Sequence, residues 1–135
     1  MRWSLWRTET IELRNLDYNI YMNTIEMHLN ETVYQLIKNG TKRIEVRLLD
    51  EKRKGVRLGD EIIFINRADD DDRVRAKVIG LLFYNNFAEL VFDYDIEILM
   101  DKSMTKEDLL KELNKFYPAE EQAELGVVGI RFELI

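Results

Sequence analysis

Stretches of this chain alternate apolar and polar residues one for one, and the segments joining them are mostly short. In MNTIEMHL, Ile25, Met27 and Leu29 alternate with Thr24, Glu26 and His28. In RIEVRLLD, Ile44, Val46 and Leu48 alternate with Arg43, Glu45 and Arg47. In RVRAKVIGLLFY, Val74, Ala76 and Val78 alternate with Arg73, Arg75 and Lys77. A period of two puts each set on one face, so these are half-buried strands. EIIFIN is apolar almost throughout and reads as a central strand, and VVGIRFELI reads as the last one. Short joins do not hold the crossovers that a parallel sheet needs, so the sheet is expected to be antiparallel or mixed. The fold class expected is α+β: a small closed barrel of about five or six strands, decorated by two or three helices.

The helices announce themselves by caps and one-turn spacings. Asn30 can cap a helix whose stripe is Val33, Tyr34, Leu36 and Ile37, with Asn39-Gly40 ending it. NFAELVF reads as a short helix with Phe87, Leu90 and Val91 on one side. Ser103 or Thr105 starts another, with Leu109, Leu110, Leu113, Phe116 and Tyr117 as its stripe and Pro118 as its stop. DEKRKG, ADDDD and the polar segment up to Gly126 read as turns. Residues 1–21 show no clear period and are expected to be an extension or an extra strand. The domain proper is expected over 22–135.

At 135 residues, of which 46% are hydrophobic, the chain supports one domain with one core. The absence of cysteine rules out disulfides, thiolate metal sites and cysteine nucleophiles, and fits a reducing cytoplasm. With His28 as the one histidine, no two-histidine site forms within a single chain. No apolar run nears the ~20 residues of a membrane span, and the first residues lack a signal peptide's apolar stretch. Asp69 to Asp72 lack the spacing of a calcium loop. Neither a cofactor nor a metal is expected.

Charge is unevenly spread. The chain carries a net −6, yet from Lys38 to Arg57 eight basic residues face three acidic ones. Glu45 and Arg47 lie two apart on one strand and share a face, with Lys42 at the strand's mouth. Such a trio can hold a lysine of lowered pKa, or orient a base edge and a phosphate. The alternative is a solvated row of ion pairs, worth little to stability. Lys52-Arg53-Lys54 can contact phosphates or simply be a wet turn.

Gly40-Thr41-Lys42-Arg43-Ile44-Glu45-Val46-Arg47 resembles the G-x-K-x-x-E-x-R signature of the activating-signal-cointegrator homology (ASCH) domain. LLDEKRKGVRLGDEIIFIN is similar to that family's turn and Gly-Asp strand start, NNFAEL to its short helix, and KFYPAEEQAELGVVGIRFELI to its ending. The resemblance implies a pseudouridine-synthase-and-archaeosine-transglycosylase-like (PUA-like) barrel and a cleft beside the signature strand that binds RNA, a nucleotide or a nucleoside. It implies Lys42, Arg43, Glu45, Arg47, Lys52, Arg53 and Lys54 as contacts, with Tyr117 at the aromatic helix end stacking a base. One group in the family removes the acetyl group of N4-acetylcytidine, with G-x-K-x-x-T-x-R supplying a lysine base and a threonine nucleophile. Here Lys42 matches the lysine, Glu45 stands in the threonine's place, and Lys102, beside Asp101, stands where that group has an acid. A hydrolase of a modified nucleoside or RNA, with Lys42 as base and Glu45 or Asp101 as acid or nucleophile, is therefore the alternative to a binding domain. An interaction domain with a vestigial cleft is a third reading.

Overall fold

The computed structural model describes residues 23–135. The extension or extra strand expected over 1–21 lies outside the described residues.

Five strands form one sheet: β1 (Thr24–Leu29), β2 (Ile44–Leu48), β3 (Glu61–Asn66), β4 (Asp69–Tyr84) and β5 (Val127–Leu134). Their spatial order is β1-β3-β4-β5-β2. Only β1 against β3 is parallel; the other pairs are antiparallel, so the sheet is mixed as expected. It curls into a half-barrel rather than closing, because β1 and β2 are both edges among the described residues.

The helices are α1 (Glu31–Lys38), α2 (Glu51–Lys54), α3 (Phe87–Asp93), α4 (Ile96–Leu99), α5 (Lys106–Phe116) and α6 (Ala119–Leu125). Six helices among the described residues exceed the two or three expected. The additional ones are short: α2 and α6 are largely polar, and the four residues of α4, though apolar, are too few to show a helical stripe. DEKRKG is α2 rather than a plain turn, because the Asp50 carboxylate accepts from the Arg53 backbone N–H and caps it. The polar segment before Gly126 is α6, started by Pro118, so the proline that ends α5 also opens the next helix. The acidic run is not the hairpin tip either. Arg67 and Ala68 make the turn, and Asp69 already pairs with Asn66 in the β3–β4 ladder.

Two apolar clusters cover the two faces of the sheet. On one face Met27, Phe64, Val78, Val128, Ile130 and Phe132 pack under Tyr34 and Ile37 of α1. On the other, Ile44, Val46, Leu48 and Val127 pack against Phe87, Leu90 and Val91 of α3 and Leu109 of α5. α5 begins with a full capping box between Thr105 and Asp108, so Thr105 and not Ser103 is its cap. Phe116 leaves the expected stripe and is exposed.

Acidic residues also hold the frame. Asp72 accepts from the buried Tyr34 hydroxyl (2.8 Å), from Lys38 Nζ (2.8 Å) and from Asn66 Nδ2 (3.4 Å). Those contacts hold the Asp72 carboxyl below its usual range, Lys38 first, while burial and the bond to Asp72 push Tyr34 up.

Gly129 lies where β5 meets both β2 and the helices. A Cβ there would stand 3.1 Å from Ile44 Cγ2, 3.2 Å from Leu90 Cδ1 and 3.4 Å from Leu82 Cδ1. We expect Gly129→Ala to cost about 1 kcal/mol and Gly129→Val about 3 kcal/mol, the span typical of overpacked cores. Urea-melt midpoints measure both, and an unchanged midpoint for Gly129→Val would contradict this packing.

Candidate nucleic-acid interface

The signature residues fall on the strand at the sheet's edge. Gly40 ends the α1 connection with φ 87°, a conformation that needs glycine. Gly40, Thr41 and Lys42 bond back to carbonyls at the end of α1, and this fixes where the chain enters β2. Within β2, Ile44, Val46 and Leu48 face the helices α3 and α5, so Glu45 and Arg47 face the other way.

That placement buries two opposite charges. Lys42 is 3% exposed and Glu45 6%. Buried charges are tolerated only with full sets of partners. Lys42 Nζ donates to the carbonyls of Ile44 and Leu99, both at 2.7 Å, and lies 3.2 Å from Glu45 Oε1. Its three N–H groups are therefore all engaged. The Leu99 carbonyl is one of those that the end of α4 leaves without a partner inside the helix. Glu45 Oε2 accepts from Arg47 Nε at 2.8 Å and lies 2.8 Å from Nη2. The three side chains thus form a chain of contacts running from the buried lysine outward to an arginine whose side chain is 20% exposed.

Burial alone would push the Glu45 carboxyl up, but Lys42 and Arg47 together outweigh it and hold the group below the usual carboxylate range. Burial pushes the Lys42 ammonium down, against the pull of Glu45. A lowered lysine is what a general base needs. This one, however, is taken up by two carbonyls and a carboxylate, and among the described residues no hydroxyl is hydrogen-bonded to it. Asp101 accepts from the Ser103 backbone N–H and hydroxyl instead of turning to Lys42.

Much of the basic stretch neutralises acids within the fold. Lys38 pairs with Asp72, Lys42 and Arg47 with Glu45, Arg53 with Asp50, and Lys54 with Glu51. Arg53 is folded back, its side chain 13% exposed, so it is not the open phosphate arm that the sequence suggested. Arg43 and Lys52 are exposed, with no ion pair to them among the described residues, and Lys54 is held only by a weak 3.4 Å contact. Tyr117 is not brought to the trio. Its ring packs 5.4 Å from that of Phe87, within the cluster on the opposite face from Glu45 and Arg47.

One aromatic residue that sequence reasoning missed lies nearer. Arg47 is in register with Val128 on β5, and Val128 with Phe83 on β4, so all three share a face. Phe83 is 61% exposed. A register shift between Val78 and Gly80 turns this end of β4 by one residue, and simple alternation does not foresee it. Phe83 also borders a hollow of about 570 Å³, lined by Tyr84, Asn85, Glu89, Phe92 and Asp93. This hollow lies at the end of the sheet rather than at the lysine.

Among the described residues no group of three or more His, Cys, Asp or Glu could hold a metal, and no helix is long and apolar enough to cross a membrane.

Comparison with known proteins adds independent likenesses. The family model of the ASCH domain matches residues 27–135. The crystal structure of hypothetical protein PH0355 is similar at 37% identity and a TM-score of 0.72, over 83% of this chain and 99% of that one. The solution structure of protein PF0455 from Pyrococcus furiosus is similar at 31% identity and a TM-score of 0.67, over 83% and 97%. Protein EF3133 from Enterococcus faecalis V583, at 16% identity and a TM-score of 0.56 over 97% and 94%, shares the fold. No curated protein matches.

Proposed function

The chain belongs to the ASCH domain family, and from that premise we propose that it binds single-stranded RNA or a nucleotide along β2. Arg47 is the central contact. With Nε and Nη2 on Glu45, Nη1 is the guanidinium nitrogen left for a ligand. Lys42 and Glu45 do not touch the ligand; they hold the arginine's fork in one orientation, which spares the ligand that ordering cost. Arg43 and Lys52, with Lys54 released from its weak pair, contact phosphates on either side. The observation that carries the reading is this buried ion chain ending in one partly exposed arginine. A surface row of ion pairs would not be 3% and 6% exposed at its first two members.

A hydrolase reading has less behind it. Its base is saturated, its nucleophile position holds a carboxylate already accepting from two cations, and its acid position holds Lys102.

Fluorescence anisotropy of short single-stranded RNAs at about 50 and 200 mM salt tests the proposal. About three phosphate contacts predict a fall in affinity of roughly 20-fold between those salts. Arg47→Ala is expected to weaken binding about tenfold, the scale of one charged hydrogen-bonded contact. Affinity insensitive to both would remove Arg47 from the interface.

A further inference from the structure

We infer that the hollow beside Phe83 is a base pocket that favours bases carrying an exocyclic amine; this rests on the nucleic-acid reading above and names what that site selects. Two features point there. First, the hollow combines flat apolar surface with acceptors. Phe83 and Phe92 are 61% and 48% exposed, and Tyr84 shares the lining with them. Glu89 and Asp93 supply the polar edge; the lining itself holds no basic residue, and the neighbouring Lys106 Nζ, 6.0 Å from the centre of the Phe92 ring, donates to the Phe92 carbonyl. Both acids are fixed in place. Glu89 Oε1 accepts from the Asn85 backbone N–H at 3.1 Å, and Asp93 Oδ2 accepts from the Tyr84 hydroxyl at 2.7 Å. Aromatic rings stack any base, whereas carboxylates accept from amines and repel carbonyl oxygens. Such a pocket suits a base and not a phosphate.

Second, the hollow stands at the same end of the sheet as the basic α2. Leu48 at the end of β2 is in register with Val127, and Val127 with Tyr84. The Leu49 backbone N–H donates to the Gly126 carbonyl at 2.9 Å, and the Cβ position of Gly126 lies 3.3 Å from the Tyr84 carbonyl. Two interstrand spacings, about 10 Å, therefore separate the end of β2, where α2 begins, from the hollow's wall. One nucleotide step can bridge that distance, with its phosphate on Lys52 or Arg47 and its base against Phe83 and Phe92.

Short oligocytidine and oligouridine differ chiefly in the amine at one ring position, and their binding at about 50 mM salt is the test. The expected result is a cytidine preference of about tenfold. Phe92→Ala, at an exposed position, is expected to weaken both oligomers about tenfold. Glu89→Gln combined with Asp93→Asn is expected to narrow or invert the preference, since amides also donate to uracil oxygens. Equal binding of both oligomers, unchanged by Phe92→Ala but weakened by Lys52→Ala, would overturn the pocket and leave the nucleic-acid reading standing. Binding of neither oligomer would overturn both together.

Discussion

Glu45→Gln is expected to cost about 3–5 kcal/mol of folding stability, because it leaves a buried cation without its counter-charge. The substitution is isosteric, so no cavity confuses the result. Lys42 would then keep its two carbonyl partners at 2.7 Å but lose the carboxylate at 3.2 Å. Arg47 would lose the charge that holds both Nε and Nη2. For a chain of this size such a loss lowers the melting temperature by about 10–20 °C. Replacing the buried pair together, as Lys42→Met with Glu45→Leu, should cost less than the sum of the single changes. The pH dependence adds a second readout. Glu45 in the fold titrates below its unfolded value. Its contribution is therefore present above the unfolded carboxyl pKa near ~4.3, and is lost as pH falls through the lower folded value. Wild-type stability should drop on acidification below about pH 5, and the Glu45→Gln curve should be flatter over that window. A loss under about 1 kcal/mol with parallel pH curves would show that the trio is an ordinary surface pair.

The same trio shows what could be read before any fold was known. Strand alternation placed Glu45 and Arg47 on one face, and the spacing to Lys42 suggested their meeting; both follow from backbone geometry, which sequence period encodes directly. The strands β1, β3 and β5 and the helices α1, α3 and α5 were legible for the same reason, since an apolar stripe or a cap residue marks each. What was not legible depends on long-range partners. The Leu99 carbonyl that completes the lysine's shell is a backbone group 57 residues away, and backbone groups leave no letter in the sequence. The acidic run reads as a turn because what holds it in β4 is the ladder to β3 and, for Asp72, the partners Tyr34, Lys38 and Asn66 from other elements. The helix stripe puts Tyr117 against the core, where it meets Phe87; only the family likeness brings it to the cleft. Phe83 was hidden by a bulge, because one inserted residue reverses the facing of everything after it.

Removing the exposed cations together should abolish most binding while leaving the fold alone. Arg43→Ala, Lys52→Ala and Lys54→Ala in one chain are expected to lower RNA affinity by about 100-fold at 50 mM salt. They should also flatten the slope of log affinity against log salt by about 2. Two kinds of basic residue, alike in composition, differ in their partners. Lys38, Lys42 and Arg53 are committed to acids of their own fold and hold Asp72, Glu45 and Asp50. Arg43 and Lys52 are exposed, and Lys54 is half-exposed with a single weak contact to the largely solvated Glu51. Exposed charges of that kind add little to stability, within about 0.5 kcal/mol each. The melting temperature of the triple variant should therefore stay within a few degrees of wild type. Glu45→Gln predicts the mirror image, a large stability loss, so the two variants divide the basic stretch into a structural half and a binding half. A triple variant that keeps full affinity and its full salt slope would move the interface away from β2 and α2. One that unfolds would show that these cations serve the fold after all, and circular dichroism alongside the binding titration distinguishes the two.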